Sequence, residues 1–250
     1  MNLRELVSYL DSFLNIAQYV DRSNNGLQVM GRERVRRVAL AVDACQAAFD
    51  QARAVDAHLL IVHHGLFWGQ VLTLTGLHYR HIKTLLMSEV GLYAAHLPLD
   101  AHAEVGNNAE IFRLLGLQEK QPFAWEKGLA IGCGGTLPQA QSLSNLTRRL
   151  GDALGDEPRV LAFGPTQVQR VAICSGNASQ FLAEAATAGY DTFVTGETNH
   201  IYYHHAHEYG LNVIYGGHYA TERIGLQALA RHLENHFPLE TVFLDIPTGM

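Results

Sequence analysis

Leu3, Leu6, Val7, Leu10, Phe13 and Leu14 recur at the spacing of one helix face, so the chain opens with a helix. Asn2 is placed to cap that helix and Glu5, three residues on, to reach back to it. The turn signal Asn24-Asn25-Gly26 precedes an extended segment at 35–42. An Ala-rich helix at 44–54 follows, then the short apolar run His58-Leu59-Leu60-Ile61-Val62, which reads as a strand buried on both faces. A helix over 79–89 leads to a small-residue strand at 91–95, a loop at Leu97-Pro98-Leu99-Asp100, and a helix over 108–115 that Gly116 stops. The stretch 121–166 reads as a strand at 129–131, a helix with Leu143, Leu146, Leu150 and Leu154 on one face, and a strand at 159–163.

The pattern repeats. With Arg37-Val38-Ala39-Leu40 laid on Arg170-Val171-Ala172-Ile173, the Ala-rich helix meets 181–188 without a gap, and Leu60-Ile61-Val62-His63-His64 meets Phe193-Val194-Thr195-Gly196-Glu197. Further on, Gly91-Leu92 and His96-x-x-x-Asp100 resemble Gly210-Leu211 and His218-x-x-x-Glu222, with three extra residues in the second copy. The expected fold is therefore α/β, two related, duplicated halves facing a shared cleft. The first half, 1–122, carries His63, His64 and Asp100, and the second, 123–250, carries Glu197, His218 and Glu222.

Composition narrows the function. The 250 residues are 48% hydrophobic and 17% charged, an ordinary packed globular chain, and a formal charge of −6 disfavours duplex nucleic acid and anionic membranes as partners. Cys45, Cys133 and Cys174 are scattered without a Cys-x-x-Cys, no apolar run is long enough to span a bilayer, and the amino terminus lacks a signal-peptide pattern. A cytoplasmic location is expected. Neither Gly-x-x-x-x-Gly-Lys-Ser/Thr nor Gly-x-Ser-x-Gly occurs, so hydrolysis, if any, would be metal-assisted.

The chemistry sits in the histidines. There are 14, with none between His102 and His200. In open α/β sheets ligands bind beyond the carboxyl ends of the strands, where this sequence puts His63-His64, His96 with Asp100, Glu197, and His218 with Glu222. Adjacent strand residues point to opposite sides, so His63 and His64 cannot easily chelate one ion unless the strand has already ended, and they could serve two. Imidazoles and carboxylates without thiolates suit Zn, Fe, Mn or Ni, and carboxylates can bridge a metal pair. We expect a dinuclear centre bound by His63, His64, Asp100, His218 and Glu222. With two divalent cations its charge, roughly +2, favours an anionic ligand. The bland alternatives are a hydrogen-bonded His pair at a strand end and, for Glu222, an acid in a helix's first turn. His200, His204, His205 and His207 read as a solvated or cleft-facing helix, and Trp68 as the best candidate to stack on a planar base.

Several ordered motifs carry a resemblance: Asn24-Asn25-Gly26-Leu27-Gln28-Val29, Val62-His63-His64-Gly65-Leu66-Phe67-Trp68, His96-Leu97-Pro98-Leu99-Asp100-Ala101-His102, Gly106-Asn107-Asn108, Thr195-Gly196-Glu197 and Gly217-His218-Tyr219-Ala220-Thr221-Glu222. Over nearly the whole chain they resemble the Nif-three-like dinuclear metal centre proteins, commonly called GTP cyclohydrolase 1 type 2 homologues, in the short bacterial form. The resemblance implies a duplicated α/β fold, a ring-shaped homohexamer built as a trimer of dimers, and two divalent ions per subunit on the same five residues, with Glu222 bridging. It also implies an acid/base or supporting role for His96, and polar cavity-lining roles for Glu197 and His204. Thr198-Asn199-His200 after Glu197 departs from the expected pattern, and no Arg or Lys cluster lies beside the metal residues in sequence. The leading expectation is a metal-dependent hydrolase acting on a small anionic substrate, a nucleotide derivative among the candidates, with His96 or Glu197 moving protons. The alternative is a non-enzymatic metal-binding ring that senses or delivers metal or scaffolds a partner.

Overall fold

The computed structural model describes residues 1–249, which form two compact units: Met1–Leu99 with Leu226–Ile246, and Asp100–Gly225 with the residues from Pro247. In chain order the elements are α1 (Leu3–Phe13), β1 (Gly26–Val29), β2 (Arg37–Asp43), α2 (Gln46–Ala54), β3 (Leu59–His64), α3 (Gly76–Ser88), β4 (Gly91–Ala94) and α4 (Leu97–Ala101). There follow α5 (Asn107–Leu114), β5 (Gln118–Glu126), β6 (Leu129–Ser142), α6 (Leu143–Leu154), β7 (Arg159–Ala162), β8 (Gln167–Ile173) and α7 (Leu182–Thr187). The chain closes with β9 (Thr192–Thr195), α8 (Ile201–Tyr209), β10 (Asn212–Tyr215), α9 (His218–His236) and β11 (Glu240–Phe243).

The first unit holds a sheet of order β1-β4-β3-β2-β11, in which β4, β3, β2 and β11 run parallel and β1 pairs antiparallel with β4. Its apolar strands are buried on both faces, as the continuous run at Leu59–Val62 requires, and Phe49, Leu60, Val62 and Leu92 sit in its core. The opening helix is capped as its sequence indicates: Arg4 N–H donates to Asn2 Oδ1 at 2.8 Å, and Asn2 N–H donates to Glu5 at 3.3 Å.

The second unit repeats this plan. Its sheet, β5-β6-β8-β9-β10-β7, contains β8, β9 and β10 in parallel, with β7 antiparallel to β10 just as β1 is to β4. The series α1-β1-β2-α2-β3-α3-β4 thus recurs as α6-β7-β8-α7-β9-α8-β10. Val38 pairs with Leu59, and Val171 with Thr192, the register that the sequence repeat indicates. One part of that alignment changes. The ladders place Gly91 opposite Leu59 and Asn212 opposite Thr192, so Asn212, two residues after Gly210, is the counterpart of Gly91. Beyond the strands, Ala95 N–H donates to Val62 O and Gly216 N–H to Thr195 O, so His96 corresponds to Gly217 and falls one residue out of step with His218.

Two local readings are also corrected. The expected loop 97–100 is the start of the short helix α4, whose first turn is held because Leu97 N–H donates to Asp21 Oδ2 at 3.1 Å. The strand expected at 129–131 is the start of a fourteen-residue β6 paired with β5, a hairpin without a counterpart in the first unit. Gly132, Gly134 and Gly135 hid it: a Cβ at Gly135 would meet the backbone of Gln118 and the ring of Phe112, so these glycines mark close packing where Gly in a sequence suggests a break.

Candidate metal centre

In the first unit β3 ends at His64 and β4 at Ala94, which puts His63, His64 and His96 at the carboxyl edge of the parallel sheet. Although His63 and His64 are neighbours in sequence, their ring centroids lie 4.7 Å apart, as the end of the strand at this point allows. They are the last two residues of β3, and each ring is tied to a different neighbour. His63 Nδ1 lies 3.0 Å from the carbonyl of Ala95, on the β4 side, and His64 Nδ1 lies 2.8 Å from Asp43 Oδ1, on the β2 side. His96 completes the set, its Nδ1 at 3.0 Å from both oxygens of Asp21 and its N–H donating to Asn25 Oδ1 at 2.8 Å.

Every one of the three rings is therefore anchored through Nδ1 to an acceptor. That hydrogen bond puts the proton on Nδ1 and assigns metal ligation to Nε2, the arrangement that orients metal-binding imidazoles. His63, His64 and His96 each offer a ligand nitrogen within 4.8 Å of the others, a group able to hold a metal ion. Burial of Asp21 works to raise its carboxyl pKa, but the hydrogen bond and charge of His96, with Asn25 and the Ser23 N–H, outweigh it and hold the group well below the ordinary carboxylate range. Trp68 donates from Nε1 to Gly65 O at 2.8 Å and sets its ring edge-on to His96 with centroids 5.1 Å apart.

The Asn24–Val29 motif acts as a brace for this edge. Gln28 Oε1 accepts Leu66 N–H at 2.8 Å while its Nε2 donates to Asn24 O at 2.7 Å. A Cβ at Gly65 would occupy the place of the Gln28 amide and lie 2.7 Å from the Cβ of Ala94. Gly65 is glycine because the brace passes through the space where a side chain would stand.

The second unit presents carboxylates. Asp100 is buried, and its Oδ1 accepts from Asn107 Nδ2 and from Ser175 Oγ, both at 2.9 Å. Asn108 ties the same segment together, donating to Asp100 O at 3.2 Å and Ile131 O at 2.8 Å and accepting Ser175 N–H at 2.8 Å. Glu222 is buried and its Oε2 lies 3.0 Å from His218 Nε2, while Glu197 Oε1 lies 3.3 Å from His218 Nδ1. Asp100 and Glu222 offer oxygens within 4.8 Å of one another, and a Glu222 oxygen and a His218 ring nitrogen lie within the same limit.

Burial alone would lower the His218 pKa; hydrogen bonding and charge from Glu222, then Glu197, reverse the effect and push it up to about 9. Gly176, at φ +63°, makes room for this cluster: a Cβ there would overlap Glu222 Oε1 and lie 3.5 Å from His218 Nε2. In the first unit three imidazoles pinned through Nδ1, and in the second two converging buried carboxylates with a glycine cleared of side-chain atoms beside them, are each donor groups that suit a divalent metal. His204 stands elsewhere in this unit, on α8, its ring edge-on to those of His200 and Tyr203.

The sequence did not point to Asp21, Asp43, Asn107, Asn108, Ser175 or Gly176. Their partners lie up to 118 residues away, and only the motifs Asn24–Val29 and Gly106-Asn107-Asn108 gave a signal at all.

The family described as Duf34/NIF3 (NGG1p interacting factor 3) matches residues 1–249. The chain belongs to it. A relative from Archaeoglobus fulgidus, named GTP cyclohydrolase 1 type 2 homolog, is 47% identical over 250 residues and covers 100% of both chains. One of the same name from Deinococcus radiodurans is 45% identical over 246 residues, covering 98% of this chain and 94% of its own. A crystal structure of a Thermus thermophilus protein superposes with a TM-score of 0.92 at 46% identity, covering 100% of each. The resemblance read from the motifs is thus shown, and this Duf34/NIF3 chain has the mixed α/β fold it implied. No helix among the described residues is long and apolar enough to cross a membrane.

Proposed function

We propose that this chain is a metal-dependent hydrolase with a dinuclear centre held by His63, His64, Asp100, His218 and Glu222, Glu222 bridging, and that it acts on a small anionic substrate, a nucleotide derivative among the candidates. The observation that carries this reading is the anchoring of His63 and His64 through Nδ1, by Ala95 O and Asp43. A turn histidine serving only structure needs no such common orientation; a ligand histidine does. A pair of divalent ions, Zn, Fe, Mn or Ni, supplies Lewis acidity and an ionised water when bound.

The residues have separable parts to play. His96 is held by Asp21 through Nδ1, which leaves Nε2 as the atom at which it would give and take a proton. Glu197 holds His218 through Nδ1 and shares its proton. Trp68 packs beside His96 and His64, edge-on to the first and tilted to the second, and would restrict the access of water on that side. In the same reading the protein works as a cytoplasmic homohexamer.

Elemental analysis of purified protein, with a panel of nucleotides assayed before and after chelation, tests the proposal. His63→Ala and Glu222→Ala are expected to lose bound metal and turnover together, and light scattering to give the mass of six chains. Turnover retained in metal-free protein overturns the reading. Metal-dependent assembly without turnover of any nucleotide replaces it with the non-enzymatic ring.

A further inference from the structure

The second unit contains a cavity of about 500 Å³ outside the residues assigned to metal. Arg159 and Leu161 enter it from β7, Thr198 and Asn199 from the turn after β9, and His200, Tyr203 and His204 from the start of α8. Its described lining carries a permanent cation, two imidazoles, the hydroxyls of Thr198 and Tyr203 and an amide, and no carboxylate. Arg159 stands on the edge strand of its sheet and makes no ion pair among the described residues. The rings of His200 and His204 meet at 90° with centroids 6.2 Å apart, and those of Tyr203 and His204 at 85° and 5.4 Å, so the wall is aromatic on two faces.

From this chemistry we infer that the cavity binds the phosphate monoester of a ring-bearing substrate, with Arg159 and Thr198 on the phosphate and the rings of α8 against the planar group. A guanidinium matches phosphate oxygens in a fork of hydrogen bonds, and a π face accepts a planar ring whatever its edge pattern. The volume lies in the range of small-molecule sites, roughly 300–1,000 Å³. The cavity also supplies the basic group that the sequence around the metal residues lacks: Arg159 is brought in by β7, and Thr198 directly follows Glu197, the partner of His218. As the recognition site for the substrate of the proposed hydrolase, it rests on that reading and deepens it.

The test is calorimetric titration of the full, metal-loaded chain with guanosine 5′-monophosphate and with guanosine, using wild type, Arg159→Gln, His204→Ala and Glu222→Ala. The nucleotide is expected to bind wild type at least about tenfold more tightly than the nucleoside. Arg159→Gln removes that advantage with metal content unchanged, and His204→Ala weakens both ligands. Equal binding of nucleotide and nucleoside, or an Arg159→Gln variant that binds as wild type does, overturns the inference. Nucleotide affinity that Glu222→Ala abolishes and Arg159→Gln leaves intact also overturns it, by placing the phosphate on the metals. Failure of the hydrolase reading registers separately, as absent turnover or metal retained in Glu222→Ala.

Discussion

His96 Nδ1 lies 3.0 Å from each carboxylate oxygen of Asp21, a residue 75 positions earlier whose side chain is 3% exposed. The same carboxylate accepts the backbone N–H groups of Ser23 and Leu97 and the side-chain amide of Asn25. Asp21 therefore fixes both the ring and the chain that carries it. Asp21→Asn keeps the shape but gives up the charge and the acceptor that pin the imidazole. His96, which the proposal gives proton transfer and not ligation, then loses its orientation, and turnover is expected to fall at least about tenfold with bound metal unchanged. Asp43→Asn, acting through the ligand His64, is expected to lower metal affinity about 10- to 100-fold. Steady-state kinetics and competition with a chromogenic chelator measure the two effects, and wild-type behaviour of both variants would show these carboxylates to be bystanders.

His218 gives a pH dependence with a definite sign. With a pKa pushed up to about 9 by Glu222 and Glu197 against the opposing effect of burial, it carries a proton at neutral pH in the metal-free protein. Ligation requires the neutral imidazole, so metal uptake must displace that proton, and affinity must rise with pH until about 9. Titrations in buffers of different ionisation enthalpy should count about one proton released from this group. Glu197→Gln, which removes one of the two charges holding the proton, should flatten the rise.

Gly176 is the position where a single methyl group should do disproportionate damage. Gly176→Ala places a Cβ against Glu222 Oε1 and imposes a left-handed φ of +63° on a residue with a side chain. The backbone conformation alone costs about 1–2 kcal/mol, visible as a lower urea midpoint. Displacement of Glu222 should additionally reduce bound metal, read by elemental analysis. A variant with wild-type metal content would show that Glu222 does not hold metal in the orientation seen here.

Asn108 tests the architecture separately from the chemistry. It is buried and makes three hydrogen bonds, to Asp100 O, Ile131 O and Ser175 N–H. Asn108→Ala leaves three backbone groups of the second unit short of a partner, and the expected loss is about 2–4 kcal/mol. Chemical denaturation monitored by far-UV circular dichroism should show it, whereas Asn145→Ala, on the partly exposed face of α6, should stay within about 0.5 kcal/mol of wild type.

What could be read from the sequence was what periodicity encodes. The helical spacing of Leu143 to Leu154, the continuous apolar run of β3 and the repeat that aligns Val38 with Val171 all appear in the structure. The long hairpin of β5 and β6 escaped because its glycines serve close backbone and ring contacts, which a sequence displays only as breaks. In the candidate site the ligand types were legible, since His and buried acids at strand ends are conspicuous. Their supports were not: Asp21 with His96, Asp43 with His64 and Ser175 with Asp100 are pairs formed by tertiary folding, and no local pattern announces them. Whether His63 and His64 diverge turned on where their strand ends; they are its last two residues, where side-chain anchors decide the direction, and their rings lie together.

Gly196 occupies in the second unit the ladder position that His63 holds in the first, and an atom added to its Cα would come within 2.7 Å of Gly176 O and 2.8 Å of Thr221 Oγ1. Grafting a His-His pair onto positions 196–197 would therefore wedge apart the turn that seats Glu222. The two copies cannot trade side chains at this point of the repeat: the backbone of the second has closed over the space that the first gives to an imidazole, and reverting it would mean rebuilding the loop beneath.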